Sequence, residues 1–188
     1  MRRGRDVIGI PIMATGADRA LGTVADLYFR PDGAVWAFLV APAKGLFKRP
    51  IRVALARFDA IRDGKAYIER DKFSDEKGAD VPNVTARGER SGLCGKNLIT
   101  AGGKQLGTIA DVVLDGLTQK RPSGAAKGVS MSLWGFEVSD GIVKDLLDGR
   151  PVVEAAGAYF DGDDVVLDAA RKHMNLAPSG HDTHEGSE

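Results

Sequence analysis

Cysteine is nearly absent: Cys94 is the only one in 188 residues. That excludes an intramolecular disulfide and any zinc cluster built on cysteine, and it fits a reducing compartment. Net charge is absent too. Lys and Arg total 26 and Asp and Glu total 26, so no global field draws the chain toward nucleic acid or an acidic membrane surface. Long apolar runs are missing. The longest, from Ala34 to Ala43, is about half of the roughly 20 residues that a spanning helix needs. The N-terminal stretch MRRGRDVIGIPIMATG is basic and then briefly apolar, and Gly9 and Pro11 break it too early for a signal peptide. These absences together lead to the expectation of a cytoplasmic chain without stable membrane insertion.

What is present is an ordinary globular balance, 43% hydrophobic and 28% charged, with 24 glycines. Glycine at that frequency favours turns and short strands over long helices. The segment LGTVADLYFR, residues 21–30, is nearly repeated by LGTIADVVLD, residues 106–115. Each copy follows a small, polar turn (ATGADRA, TAGGKQ), and each turn follows a Gly and a short apolar stretch (Gly9 with IPIM, Gly95 with KNLI). Each copy then leads through a polar turn to an apolar run that holds one of the two tryptophans, Trp36 or Trp134. Leu21, Thr23, Ala25, Leu27 and Phe29 share one phase of a period of two, and Asp26 lies on the other, which indicates a strand. Gly22 and Gly107 inside the windows predict a bulge or strong bend.

The pattern predicts strands near 8–13, 21–30, 35–41, 50–54 and 65–69, with a helical turn over 55–61. RPDG is a tight turn and RDGKAYIE a closing hairpin. Residues 70–92 are charged, with fading apolar periodicity, and read as a linker. Further strands are expected near 96–100, 105–115, 129–138, 150–153 and 164–168. SDGIVKDLLDGR predicts a two-turn helix that starts at Ser139 and stops at Gly149. DAARKHM predicts a short helix, and 171–188 a flexible tail. The domains expected are therefore 1–69, a linker 70–92, 93–170 and the tail. The fold class is all-β, two small barrels in tandem with short helices. A barrel of roughly 70 residues buries little surface alone, so the two halves are expected to pack as an internal pseudo-dimer.

The two windows resemble the PRC-barrel family. Gly9 with IPIM and LGTVADLYF, and Gly95 with KNLI and LGTIADVVLD, are similar to its opening strand and its glycine-containing second strand. FLVAPAKGLFKRPIRVALARFDAI is similar to its central hairpin, with Ala54 where proline is usual. The matches cover about 4–69 and 93–168. The family includes the cytoplasmic domain of the photosynthetic reaction centre's H subunit and the C-terminal barrel of a ribosome-maturation factor. The resemblance implies partners as varied as reaction centres, ribosomes or RNA, and envelope scaffolds. It does not carry either relative's role over whole, because this chain has no membrane helix and its first half resembles PRC again.

Each chemistry-bearing residue has a plain structural reading. Asp26 and Asp111 repeat, but each is expected to accept a backbone N–H from a neighbouring turn rather than to do acid–base work. His173, His181 and His184, with Asp182 and Glu185, lie in a Gly/Ser-rich tail that lacks the rigid support metal ligands need. Cys94 has no patterned base beside it. TAGGKQLG lacks the P-loop spacing and the following helix. Trp36 and Trp134 sit in apolar strands and read as core. No catalytic, metal or cofactor residue is assigned, and no enzyme is expected. Two basic clusters stand out: Arg2, Arg3 and Arg5, and then Lys44, Lys48 and Arg49 around Phe47. Lys44, Phe47, Lys48 and Arg49 are the partner-contact candidates. The function expected is a protein-interaction adaptor with an unidentified protein partner and a capacity to form a homodimer. The alternative is an RNA- or ribosome-associated maturation adaptor that binds through the basic hairpin.

Overall fold

The structure is a computed structural model and describes residues 1–46, 48–76, 84–88, 91–116, 129–140 and 149–177. A two-residue strand β1 (Arg2–Arg3) and one helical turn α1 (Gly4–Val7) open the chain. Six strands follow: β2 (Pro11–Ala14), β3 (Ala20–Phe29), β4 (Val35–Pro42), β5 (Ile51–Ala54), β6 (Phe58–Arg62) and β7 (Lys65–Ile68). A short β8 (Val84–Thr85) precedes six more: β9 (Asn97–Thr100), β10 (Gln105–Asp115), β11 (Ser132–Ser139), β12 (Val152–Glu154), β13 (Ala158–Asp161) and β14 (Asp164–Leu167).

The two sets of six form two curled sheets of the same order, β5-β4-β3-β2-β7-β6 and β12-β11-β10-β9-β14-β13. In each, the first strand of the unit pairs parallel with the last, β2 with β7 and β9 with β14, while every other neighbour within the six runs antiparallel. The fold is all-β, two barrel-like units in tandem. Their irregularities repeat as well. The register of β3 on β4 slips between Val24 and Asp26 and between Tyr28 and Phe29. That of β10 on β11 slips between Ile109 and Asp111 and between Val113 and Leu114.

The expected bend at the repeated glycine is present. Leu21 and Leu106 are skipped in the pairing with β2 and β9, beside Gly22 and Gly107. A Cβ on Gly22 would lie 2.5 Å from the Ala41 carbonyl oxygen, and one on Gly107 would lie 2.5 Å from that of Ser139. The strand can fold onto its neighbour only where no side chain intervenes.

The bulges also correct the single phase read from the windows. Thr23 and Ala25 are exposed, whereas Val24, Leu27 and Phe29 are buried. The slip at Ala25 flips the inward set from even to odd positions. Residues 55–61 are one turn of 3-10 helix (Leu55–Arg57) and then strand β6, because Phe58, Ala60 and Ile61 are buried against β7. Strand β13 has no counterpart among the expected elements. No helix forms over 168–174. The Asp168 carboxylate accepts the Ala170 N–H at 2.9 Å and closes a turn, Asn175 bridges Tyr159 in parallel, and Leu176 is fully buried. Residues 171–177 are therefore part of the packed structure. The expected helix between Ser139 and Gly149 falls largely on 141–148, outside the described residues.

The stretch 70–92, expected as a linker, also contributes structure. Phe73, Val84 and Ala86 are apolar positions spaced among charges, and all three are buried. β8 pairs with β3, matching Tyr28 to Thr85 and Phe29 to Val84. Reciprocally, β1 pairs with β10, matching Val113 to Arg3 and Leu114 to Arg2. Each unit's lead-in segment thus completes the other unit's long strand, an exchange with the self-complementary character of a two-fold interface. Further backbone bonds cross between the units, Val35 N–H to Met131 O and Leu133 N–H to Gly33 O, both 2.9 Å. A single apolar cluster runs through both units, from Phe29, Phe38 and Phe58 to Phe136, Leu114 and Leu98. Burying each such side chain contributes about 1.5–3 kcal/mol. Continuity of that cluster predicts one cooperative unfolding transition.

Candidate functional site

The repeated aspartates are the first place to test for chemistry. Both are buried, at 5% exposure for Asp26 and 1% for Asp111. Asp26 accepts the N–H of Leu27 at 2.8 Å and that of Arg87 at 3.1 and 3.2 Å. Asp111 accepts the N–H of Val112 at 2.9 Å and that of Arg5 at 3.2 Å. Arg87 belongs to the second unit's lead-in and Arg5 to the first's. The carboxylates thus hold the two exchanged segments, which is the backbone-accepting role expected of them, carried out between units. Burial raises the pKa of Asp26 above its ordinary value, against the lowering effect of its hydrogen bonds to Leu27, Arg87, Thr85 and Ala86.

The environments then diverge. Leu39 faces Asp26 across the strands, whereas Glu137, 2% exposed, faces Asp111. The second unit therefore carries a charged cluster. Arg5 grips Glu137 with both guanidinium nitrogens at 3.0 and 3.2 Å, Arg3 Nε lies 2.6 Å from it, and Arg150 lies 3.8 Å away. A bidentate guanidinium–carboxylate pair is among the stronger polar contacts. Arg3 and Arg5 of the first basic cluster are thus bound within the fold.

Burial pushes the Cys94 thiol up to about 11, and Asp111 and Asp26 add to the rise. At neutral pH the group is a thiol, without the nucleophilic thiolate. His173 is exposed, His181 and His184 lie outside the described residues, and no metal-holding group of acids, histidines and cysteine occurs among the described residues.

Of the partner-contact candidates, Lys44, Lys48 and Arg49 are exposed at the tip between β4 and β5, and Phe47 lies outside the described residues. Arg49 makes a loose approach to Asp75 at 3.9 Å. Lys44 lines a cleft of about 260 Å³ at one end of the first unit, and Lys48 and Arg49 are not among its described lining residues. Its other cations are Arg19 and Arg70. Its floor is apolar, with Ala14, Ala20 and Leu21, and none of its described lining residues is acidic. Sequence reasoning missed Arg19 and Arg70. Arg19 lies in the turn before β3 and Arg70 opens a 3-10 turn, Arg70–Lys72, and only the curl of the sheet brings them to Lys44.

The tryptophans occupy equivalent places one residue before Ala37 and Gly135, the partners of Tyr28 and Val113. Trp36 is buried against Tyr28, with ring centroids 5.9 Å apart. Trp134 is only half-buried. It lines an open groove of about 500 Å³ with Val113, Val152, Arg2 and Arg3. The core assignment holds for Trp36, while Trp134 is only half-buried and has Val113 where Trp36 has the tilted ring of Tyr28.

Two curled sheets of identical order, locked by exchanged lead-ins, define a tandem β-barrel protein. The family model of the PRC-barrel domain matches residues 1–76. That match spans the first unit, and the second unit repeats the first's strand order. No curated protein matches the chain. Among the described residues no helix is long and apolar enough to cross a membrane.

Proposed function

We propose that the chain is a non-catalytic adaptor that works in the cytoplasm and binds an acidic face of a protein partner. The observation that carries this reading is the cleft in which Lys44, Arg19 and Arg70 surround an apolar floor with no acid among the described lining residues. Cations around a small apolar seat suit a partner that offers a carboxylate beside an aliphatic side chain. A polyanion such as RNA is the second reading, since three cations without a counter-charge also attract phosphate. Single-stranded RNA gains most of its short-range energy from stacking on aromatic rings, and the described cleft lining has none.

The experiment is affinity capture with the full chain at low and high salt, repeated with Lys44→Glu and Arg70→Glu together. The adaptor reading expects one protein partner, weakened only modestly by salt because a carboxylate beside an aliphatic group releases few counterions, and lost in the double variant. Capture of ribosomal particles that falls steeply with salt would favour RNA. Capture unchanged by the double variant would refute the role of the cleft.

A further inference from the structure

The two units differ at their outer sheet edges. On β5, Ile51 and Val53 bond toward β4, and Arg52, opposite Leu39, turns its backbone outward. Those outward groups are taken up within the chain: Arg52 N–H donates to the Asp75 carboxylate at 2.9 Å, and Glu76 N–H donates to Arg52 O at 2.7 Å. Arg57 secures the segment, with Nη1 2.7 Å from Ser74 Oγ and Nη2 2.6 Å from Glu76. Residues 73–76, Phe-Ser-Asp-Glu, thus lie along the β5 edge, and Phe73 is buried.

Val152 is the counterpart of Arg52. Leu39 and Glu137 are the residues opposite Asp26 and Asp111, and they face Arg52 and Val152 respectively. Val138 N–H donates to Pro151 O and Ala155 N–H to Trp134 O, so 151, 153 and 155 bond inward and the N–H and C=O of Val152 point out. Among the described residues nothing accepts or donates to them. The segment that would follow by analogy is diverted: Asn175 bridges Tyr159, and Leu176 N–H donates to Pro31 O at 2.8 Å. The side chain of Val152 is 42% exposed and borders the Trp134 groove. Arg150 stands two residues before it, 41% exposed, as Arg49 stands three before Arg52.

We propose that the β12 edge at Val152, unpaired among the described residues, receives an extended acidic segment of a protein partner by strand addition, in the place that residues 73–76 take on β5. This deepens the adaptor reading and rests on it. The first unit supplies the template for the occupant: a carboxylate that accepts the outward N–H, a backbone N–H returned to the outward carbonyl, and a cation just upstream for the carboxylate. Arg150 before the site and the exposed Glu154 after it set the direction, with the acidic group toward Arg150. Trp134 offers the apolar seat for a neighbouring side chain.

The test uses the full chain and a labelled synthetic peptide, Lys-Phe-Ser-Asp-Glu, which copies residues 72–76. Binding is followed by fluorescence anisotropy and by amide NMR. The proposal expects saturable binding that shifts the Val152 amide and the Trp134 indole. N-methylating the peptide's Glu, which deletes one donated hydrogen bond, should weaken binding at least about tenfold. Val152→Pro, tolerable on an edge strand, should abolish it. Val152→Asp, at an exposed position, should do the same by charge repulsion. Absence of binding, indifference to N-methylation, or shifts confined to the Arg52 edge would each overturn the proposal. Failure of the Lys44/Arg70 capture experiment would leave the Val152 readout unaffected, so the two readings fail separately.

Discussion

The first unit joins Asp26 to an apolar neighbour, Leu39, and covers its own edge at Arg52. The second joins Asp111 to Glu137, and among the described residues nothing pairs with the outward backbone of Val152. Everything that closes the sheets is nonetheless held in common: the strand order, the bulges and the glycine bends. The difference teaches where a duplicated fold has room to vary. Positions inside the curl are bound by packing, and a change there costs stability in both copies. Positions on the outer face and edges carry no such obligation and can be turned to a partner.

The sharpest way to break the comparison is at its shared interior. Phe38→Ala and Phe136→Ala remove equivalent, fully buried rings and should each cost about 3–5 kcal/mol. Because one apolar cluster spans both units, each variant should still unfold in a single transition, followed by calorimetry. Two separated transitions in either variant would show that the units are energetically independent.

A smaller effect should separate the two clasps. Arg5→Ala removes a bidentate pair to buried Glu137, whereas Arg87 is held to Asp26 through its backbone N–H, which alanine keeps. Arg5→Ala should cost about 1.5–3 kcal/mol by urea denaturation, and Arg87→Ala much less. Equal losses would mean that the side chains play the same part in both units.

The smallest effect is the pH dependence of Asp26. Its folded-state pKa is raised by burial above the ordinary 3.8, so the folded state holds that proton more tightly than the unfolded one. The destabilising contribution is full above the folded-state pKa and fades as pH falls toward 3.8. Urea melts of the natural chain and of Asp26→Asn should therefore shift in favour of the natural chain as pH is lowered through that window. A difference that stays constant with pH would refute the raised pKa.

Much of this was legible in the chain. The repeat, the bend at Gly22 and Gly107, the all-β class and the backbone-accepting aspartates follow from local pattern. What escaped was non-local. The exchange of lead-ins joins Arg3 to Val113 and Thr85 to Tyr28, and two-residue strands carry no periodicity to detect. Bulges at Ala25 and Ala110 flip the inward phase, so strict alternation misassigned Thr23 and Ala25. Residues 70–92 looked like a spacer because their buried apolar residues, Phe73, Val84 and Ala86, are diluted by charge. Arg19 and Arg70 reach Lys44 through curvature, which no window along the chain records.

The exchanged lead-ins also order events during synthesis. Arg2 and Arg3 leave the ribosome long before Leu114 and Val113, their pairing partners, so this early segment must wait for a late one. The β8 segment meets the opposite case, since Tyr28 and Phe29 are already in place when it emerges. The nascent first half can therefore acquire its borrowed strand as soon as β8 emerges, while its own contribution to the second half must wait for β10.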